Sequence, residues 1–173
     1  RAGVPIFCPA IMDSPYGDAA LIAKSEGFDF KLDSVKDLEE FMSLGDKVKE
    51  TGVIYIGGGV PKDYIQLLAV TAPLAKKDHK LSNRQGKERI NEGYYPHKYA
   101  VQITTDSPQW GALSGCTFEE ASSWGKINME HQNVQCYCDA TIAMPLLVHA
   151  LSEITEGKRA GTDFSSLFEI LEM

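Results

Sequence analysis

No stretch of this chain approaches the roughly 18 consecutive apolar residues that a membrane-crossing helix needs, so no membrane span is expected. A basic surplus is missing as well. Seventeen Lys and Arg stand against 24 Asp and Glu, a formal charge of −7, which argues against nucleic-acid binding through a basic surface. That balance is compatible with polycationic ligands, and equally with an ordinary acidic cytosolic protein. Cysteine is sparse: Cys8, Cys116, Cys136 and Cys138. None forms a zinc-type Cys-x-x-Cys pair, and Cys136 and Cys138 would share one face of a strand. Free thiols in a reducing, cytoplasmic setting are expected, with no metal site. Internal repeats are lacking, and no signal peptide is expected ahead of the fold. The remaining composition is ordinary for a soluble globular protein, at 43% hydrophobic and 24% charged. A length of 173 residues suits one domain with a proper core.

Patterning along the chain alternates strand and helix signals. Val4–Phe7 reads as a short buried strand ending at Pro9, and Ala19–Ser25 as a helix. Asp33 is a helix N-cap, after which Val35, Leu38, Phe41, Met42 and Val48 recur at helical spacing to Glu50, with Gly52 as the stop. Val53–Ile56 is a β-branched and aromatic strand. Gly57-Gly58-Gly59 follows it, and Pro61 stands in the first turn of a helix to about Thr71. Further strands are predicted at Tyr99–Thr104 and Val134–Cys138, with a helix between them from Phe118 to Trp124. Thr117 and Glu120 have the spacing of a capping box. A helix from Ile142 to Glu153 would carry Pro145 in its first turn, and a short one would run from Phe164 to Met173 after a loop at Gly157–Gly161. Lys76–Tyr95, with His79 and Lys80, reads as an exposed polar excursion. The alternation predicts an α/β fold, Rossmann-like, with a largely parallel sheet flanked by helices.

The chemistry centres on Lys126, in the run Trp124-Gly125-Lys126 just after Glu119 and Glu120. A lysine nucleophile must shed its proton, and an apolar wall such as an indole favours the neutral amine by desolvating the charge. The nearby carboxylates favour the ammonium and suit holding a cationic substrate. A surface lysine complementing a helix end is the plain alternative. The glycine turn at Gly57–Gly59 lets backbone amides approach a phosphate, but it is not a full G-x-G-x-x-G, and a tight turn explains it as well. Thr105 and Asp139-Ala140 fall at strand ends, where ligands bind in open α/β sheets. Asp139 suits a ribose hydroxyl or a helix cap equally.

The segment Glu120–Ile127, followed by Tyr137-Cys138-Asp139-Ala140-Thr141, resembles the active-site region of the deoxyhypusine synthase family. Three more blocks fall in that family's order: Phe7–Asp18, Gly57-Gly58-Gly59-Val60-Pro61-Lys62, and Gln102-Ile103-Thr104-Thr105. The ordered set runs to about Leu151. The resemblance implies NAD as cofactor, with Asp13, Gly58, Thr105, Asp139 and Ala140 at its site. It implies Lys126 as the residue that carries a butylamine portion of spermidine as a Schiff base. Asp18, Glu120 and Trp124 would hold the polyamine, the carboxylates pairing with ammonium groups and the indole covering methylenes. It also implies a tetramer-type oligomer.

Two positions depart from the family pattern. Lys62 is followed by Asp63 and Tyr64 where the family carries a histidine base, so Asp63 joins the candidate amine-binding residues. Leu113 stands where the family's substrate loop has an aspartate, with Trp110 in the same loop. Retained Lys126 and altered amine positions point to kept chemistry on a different amine, as in the bacterial deoxyhypusine-synthase-like branch resembling homospermidine synthases. Modification of a lysine on a translation initiation factor, and a silent polyamine-binding paralogue, are the alternatives. The resemblance covers the C-terminal half of the family's fold, and the sequence opens at Arg1. Either the polypeptide is cleaved or the fold is shared between two chains, and in both cases a second chain carrying the N-terminal half is expected as an obligate partner.

Overall fold

A computed structural model describes residues 4–29, 31–45, 50–75 and 96–156. Its centre is a three-stranded sheet of β1 (Gly52–Ile56), β2 (Tyr99–Thr104) and β3 (Asn133–Tyr137), in that order and parallel throughout. Around it stand α1 (Pro15–Ser25), α2 (Ser34–Gly45), α3 (Val60–Ala75), α4 (Phe118–Ser123) and α5 (Ala140–Ile154). The predicted α/β fold with a parallel sheet and flanking helices is what forms.

Alternation along β1 decides which face becomes the core. Val53 and Tyr55 are buried, while Ile54 and Ile56 are exposed. Register sets Val53 beside Ala100 and Tyr55 beside Gln102, so these side chains share one face. Phe118 and Ala121 of α4, Ile127 after it and Ile65 of α3 close over that face to make the apolar core. A second contact joins α2 to α3, where Phe41 stacks on Tyr64 with ring centroids 4.8 Å apart.

Several boundaries differ from the sequence reading, each for a local reason. Val4–Phe7 is not a strand: Ile6 is 89% exposed, and Phe7 packs edge-on to Phe41. Pro5 and Pro9 each remove a ladder donor from this segment. The first helix starts earlier than Ala19, because Ser14 caps it and Pro15 occupies its first position. Asp33 does cap α2, accepting from the amides of Val35 and Lys36; the helix is described to Gly45, the expected continuation over 46–49 lies outside the described residues, and Gly52 opens β1. The last described helix starts at Ala140, capped by Asp139, so Pro145 lies inside it and not in its first turn. The polar excursion at 76–95 and the helix expected at 164–173 lie outside the described residues.

Candidate active site

Lys126 owes its position to the way α4 stops. Thr117 and Glu120 form the expected capping box at its start: the Thr117 amide donates to Glu120 Oε2 at 2.7 Å, and the Glu120 amide to Thr117 Oγ1 at 3.2 Å. At its end Gly125 turns left-handed, φ 75°. The Gly125 amide bonds Ser122 O at 2.8 Å and the Lys126 amide bonds Ala121 O at 3.1 Å. This is a Schellman stop, so the Trp-Gly-Lys block is a helix terminus that aims the lysine. His97 holds the backbone from the other side, donating to Lys126 O and accepting from Asn128 N, both at 3.0 Å.

The Lys126 side chain then reaches Asp63 in the first turn of α3, Nζ to Oδ1 at 2.6 Å. Asp63 therefore binds an ammonium, as its residue type suggested, but the ammonium is that of Lys126. Lys126 also lines a cleft of about 450 Å³ together with Gln66, Leu113, Cys116, Glu120 and Trp124. Trp124 is 66% exposed, so the indole forms a wall of this cleft and does not bury the amine.

One wall of the cleft is held from beneath by a polar network that the sequence reading did not single out. Lys62 is 4% exposed and donates to Gln102 Oε1 (3.1 Å), Leu113 O (3.0 Å) and Cys116 O (2.9 Å). These use all three ammonium hydrogens on neutral oxygens. Burial holds its pKa below the ordinary lysine value, against the opposing pull of Cys116 and Glu120. Gln102 donates onward to Gly57 O at 3.0 Å and Ser114 O at 2.8 Å, and Gln135 donates to Gln102 Oε1 at 3.0 Å. Tyr55 lies beneath, its phenol pushed up to about 12 mainly by burial and accepting from Gln66. The signal that could have found this network is a glutamine on the apolar strand β2, between Val101 and Ile103. The same loop explains Gly58: a Cβ there would lie 2.5 Å from Ser114 Cα.

The carboxyl ends of the strands lie side by side, the Gly57 amide bonding Ile103 O at 2.8 Å and the Cys138 amide bonding Thr104 O at 3.1 Å. Exposed Thr105 and Asp139 stand there. Asp139 accepts from the Thr141 hydroxyl and amide at 2.7 and 2.8 Å, contacts that hold its carboxyl below the usual range. Among the described residues, chain neighbours aside, no atom lies within 4 Å of where a Cβ would sit at Gly57 or Gly59, which leaves room for a ligand there. An open glycine turn after β1, a hydroxyl at the end of β2 and an ionised carboxylate at the end of β3 fit the phosphates and ribose of a dinucleotide laid across the strand ends. Asp13 is exposed in the turn before α1, and Asp18 is exposed in its first turn. Neither lines the cleft. The structure thus brings Asp63, Glu120, Trp124 and Lys126 together, and leaves Asp13 and Asp18 apart from them.

Residues 1–151 match the deoxyhypusine synthase family. The chain is 44% identical over 166 residues to the "Probable deoxyhypusine synthase 2" of Methanosarcina mazei, covering 95% of this chain and 44% of that protein. It is 48% identical over 155 residues to the protein of the same description from Archaeoglobus fulgidus, covering 90% and 46%. A "Deoxyhypusine synthase-like protein" of Chlorobaculum tepidum is 39% identical over 147 residues, covering 84% and 38%. The chain spans less than half the length of these relatives. With the family matched from Arg1 through Leu151, across all three strands, this chain belongs to the deoxyhypusine synthase family.

Proposed function

We propose that this chain carries the covalent centre of an NAD-dependent aminobutyl transfer. The aminobutyl portion of spermidine, or of putrescine, passes through an imine on Lys126 to an acceptor amine. That acceptor is a small polyamine such as putrescine, giving homospermidine. The observation that carries this reading is Lys126 itself, set in a cleft with Glu120 and Trp124 and held on Asp63 at 2.6 Å. Glu120 and Asp63 supply anionic contacts for ammonium groups in the cleft, while Asp18, apart from the cleft in this chain, would meet the amine outside it; the exposed Trp124 indole covers methylenes and a cation through its face. Leu113 makes part of the wall apolar, which favours a short diamine over a longer polycation.

NAD, when bound, supplies a hydride acceptor for the carbon beside the secondary amine and returns that hydride at the end, so no net oxidation occurs. Gly58, Thr105, Asp139, Ala140 and Asp13 are the residues proposed to hold it. A second polypeptide completing the fold belongs to the same reading. Parallel sheets are normally covered on both faces. Here Ile54, Ile56 and Val134 are exposed, as are Ile142, Leu146, Val148, Leu151 and Ile154 of α5. Those exposed apolar residues support a partner and a tetramer-type assembly, without membrane or nucleic acid as partners. We place the assembly in the cytoplasm.

The relatives' descriptions favour a second reading in which the acceptor is a lysine of a translation initiation factor. Supplying the complete assembly with NAD, spermidine and putrescine separates the two. Homospermidine and diaminopropane are the expected products, whereas transfer only to an added factor would replace the first reading with the second. Binding of spermidine without either product would leave the chain a silent supporting paralogue.

A further inference from the structure

We propose that Asp63 is a latch whose release arms Lys126. An ammonium group of the incoming amine takes the place of Lys126 on the Asp63 carboxylate, and Lys126 then yields a proton and attacks as the free amine. This inference rests on the reading of Lys126 as the covalent residue and supplies the step that precedes its chemistry.

The geometry favours exchange at this pair. Nζ and Oδ1 are 2.6 Å apart, yet the Asp63 side chain is 45% exposed against 18% for Lys126. The carboxylate is therefore the more accessible half, and a cation entering from solvent meets it first. An ion pair open to solvent on its carboxylate side is also cheaper to exchange than a fully buried one, because solvent screening lowers its net free energy.

Charge then decides the consequence. Lys62 interacts electrostatically with Lys126, Glu120 and Cys116, and Cys116 in turn with Lys62, Glu120 and Lys126. Burial pushes the Cys116 thiol up, so it adds no anion. Glu120 already commits Oε2 to the Thr117 amide. The site thus holds two lysine cations, Lys62 and Lys126, with two carboxylates, Asp63 and Glu120. One more ammonium leaves three cations against two carboxylates in a partly buried cleft, and loss of one proton relieves the excess. Lys62 is not the group to lose it, since its hydrogens satisfy Leu113 O, Cys116 O and Gln102 Oε1, and an orphaned acceptor there carries a desolvation cost. The substrate's ammonium has gained Asp63. Lys126 has lost its partner and opens onto the cleft.

The step conserves protons. Lys126 first passes one hydrogen ion to solvent. Its free amine then attacks the carbon of the protonated substrate imine. One C–N bond forms, the bond to the departing amine breaks, and a hydrogen from the lysine nitrogen ends on the departing nitrogen.

The test is the rate at which butanal with cyanoborohydride alkylates Lys126 in the complete assembly, read by peptide mass, with exposed Lys36 as internal reference. The probe needs neither NAD nor spermidine. Adding a bis-quaternary butane diammonium salt, which is cationic but cannot form an imine, is expected to raise Lys126 labelling by about tenfold, the order expected for losing one close counter-ion. Asp63→Asn is expected to label at the raised rate without the salt and to ignore it. Unchanged or slower labelling of the unaltered protein with the salt would overturn the latch, whether or not the variant folds. If Lys36 reacts and Lys126 never does, the covalent reading itself falls, and the latch with it.

Discussion

Gly58→Ala tests whether the glycine turn and the cleft wall are one mechanical unit. The added Cβ would lie 2.5 Å from Ser114 Cα, 2.5 Å from its Oγ and 2.8 Å from its N. A side chain could swing away; the Ser114 backbone can move only with its loop. That loop is tied down by Lys62 on Leu113 O and Cys116 O and by Gln102 on Ser114 O. If the loop stays, overpacking costs about 1–3 kcal/mol. If it moves, it strains bonds worth about 1.5–3 kcal/mol each for the charged donor and about 1 kcal/mol for the amide. The first route thus costs about 1–3 kcal/mol and the second at least about 1 kcal/mol. Only the second also disturbs Leu113 and Cys116 in the cleft. Urea unfolding and diamine affinity should be measured on the same preparation. Wild-type stability together with wild-type affinity would refute the proposed coupling.

Further outcomes follow from neighbouring contacts. Gly125→Ala must hold φ 75° with a Cβ, at about 1–2 kcal/mol, and labelling of Lys126 by an aldehyde should fall with the stability. Burial holds the His97 imidazole below its ordinary 6.5, and it bonds Thr51 Oγ1 at 2.8 Å and Ile65 O at 3.2 Å. Below pH 6.5 the unfolded chain takes up a proton that the folded one resists. Stability is therefore whole above that value and falls beneath it, by at most about 1.4 kcal/mol per pH unit. Unfolding curves at pH 5 and 7 for the protein and for His97→Gln should show the slope flattened in the variant. Leu113→Asp places an anion on the cleft wall and should lower KM for spermidine relative to putrescine by up to about fivefold, the range of a partly exposed ion pair. An unchanged ratio would remove Leu113 from specificity.

Local rules carried the sequence reading as far as local rules reach. A β-branched run, three glycines and Pro61 were enough to place β1, its turn and α3, and Thr117 with Glu120 was enough for the α4 cap. The apolar residues of Val4–Phe7 suggest a strand, but Pro5 among them withholds a ladder donor, and the segment pairs with no described strand. Asp63 and Lys126 are 63 residues apart, so their ion pair belongs to the packing of α3 against the end of α4. Asp63 was legible as an ammonium ligand by type, while the ammonium it holds was not. Lys62 looked like one more polar residue of a glycine turn. Only the fold shows that its hydrogens meet two loop carbonyls and a strand glutamine from more than 40 positions away in sequence or exactly that distance, 40, 51 and 54 residues.

The central claim is that Lys126 forms the bond. Incubating the complete assembly with NAD and spermidine, quenching with borohydride and sequencing the modified peptide by mass reads that bond directly. An aminobutyl adduct on Lys126, absent from Lys126→Arg along with turnover, is the expected result. Full turnover in Lys126→Arg, or an adduct on another residue, would contradict it.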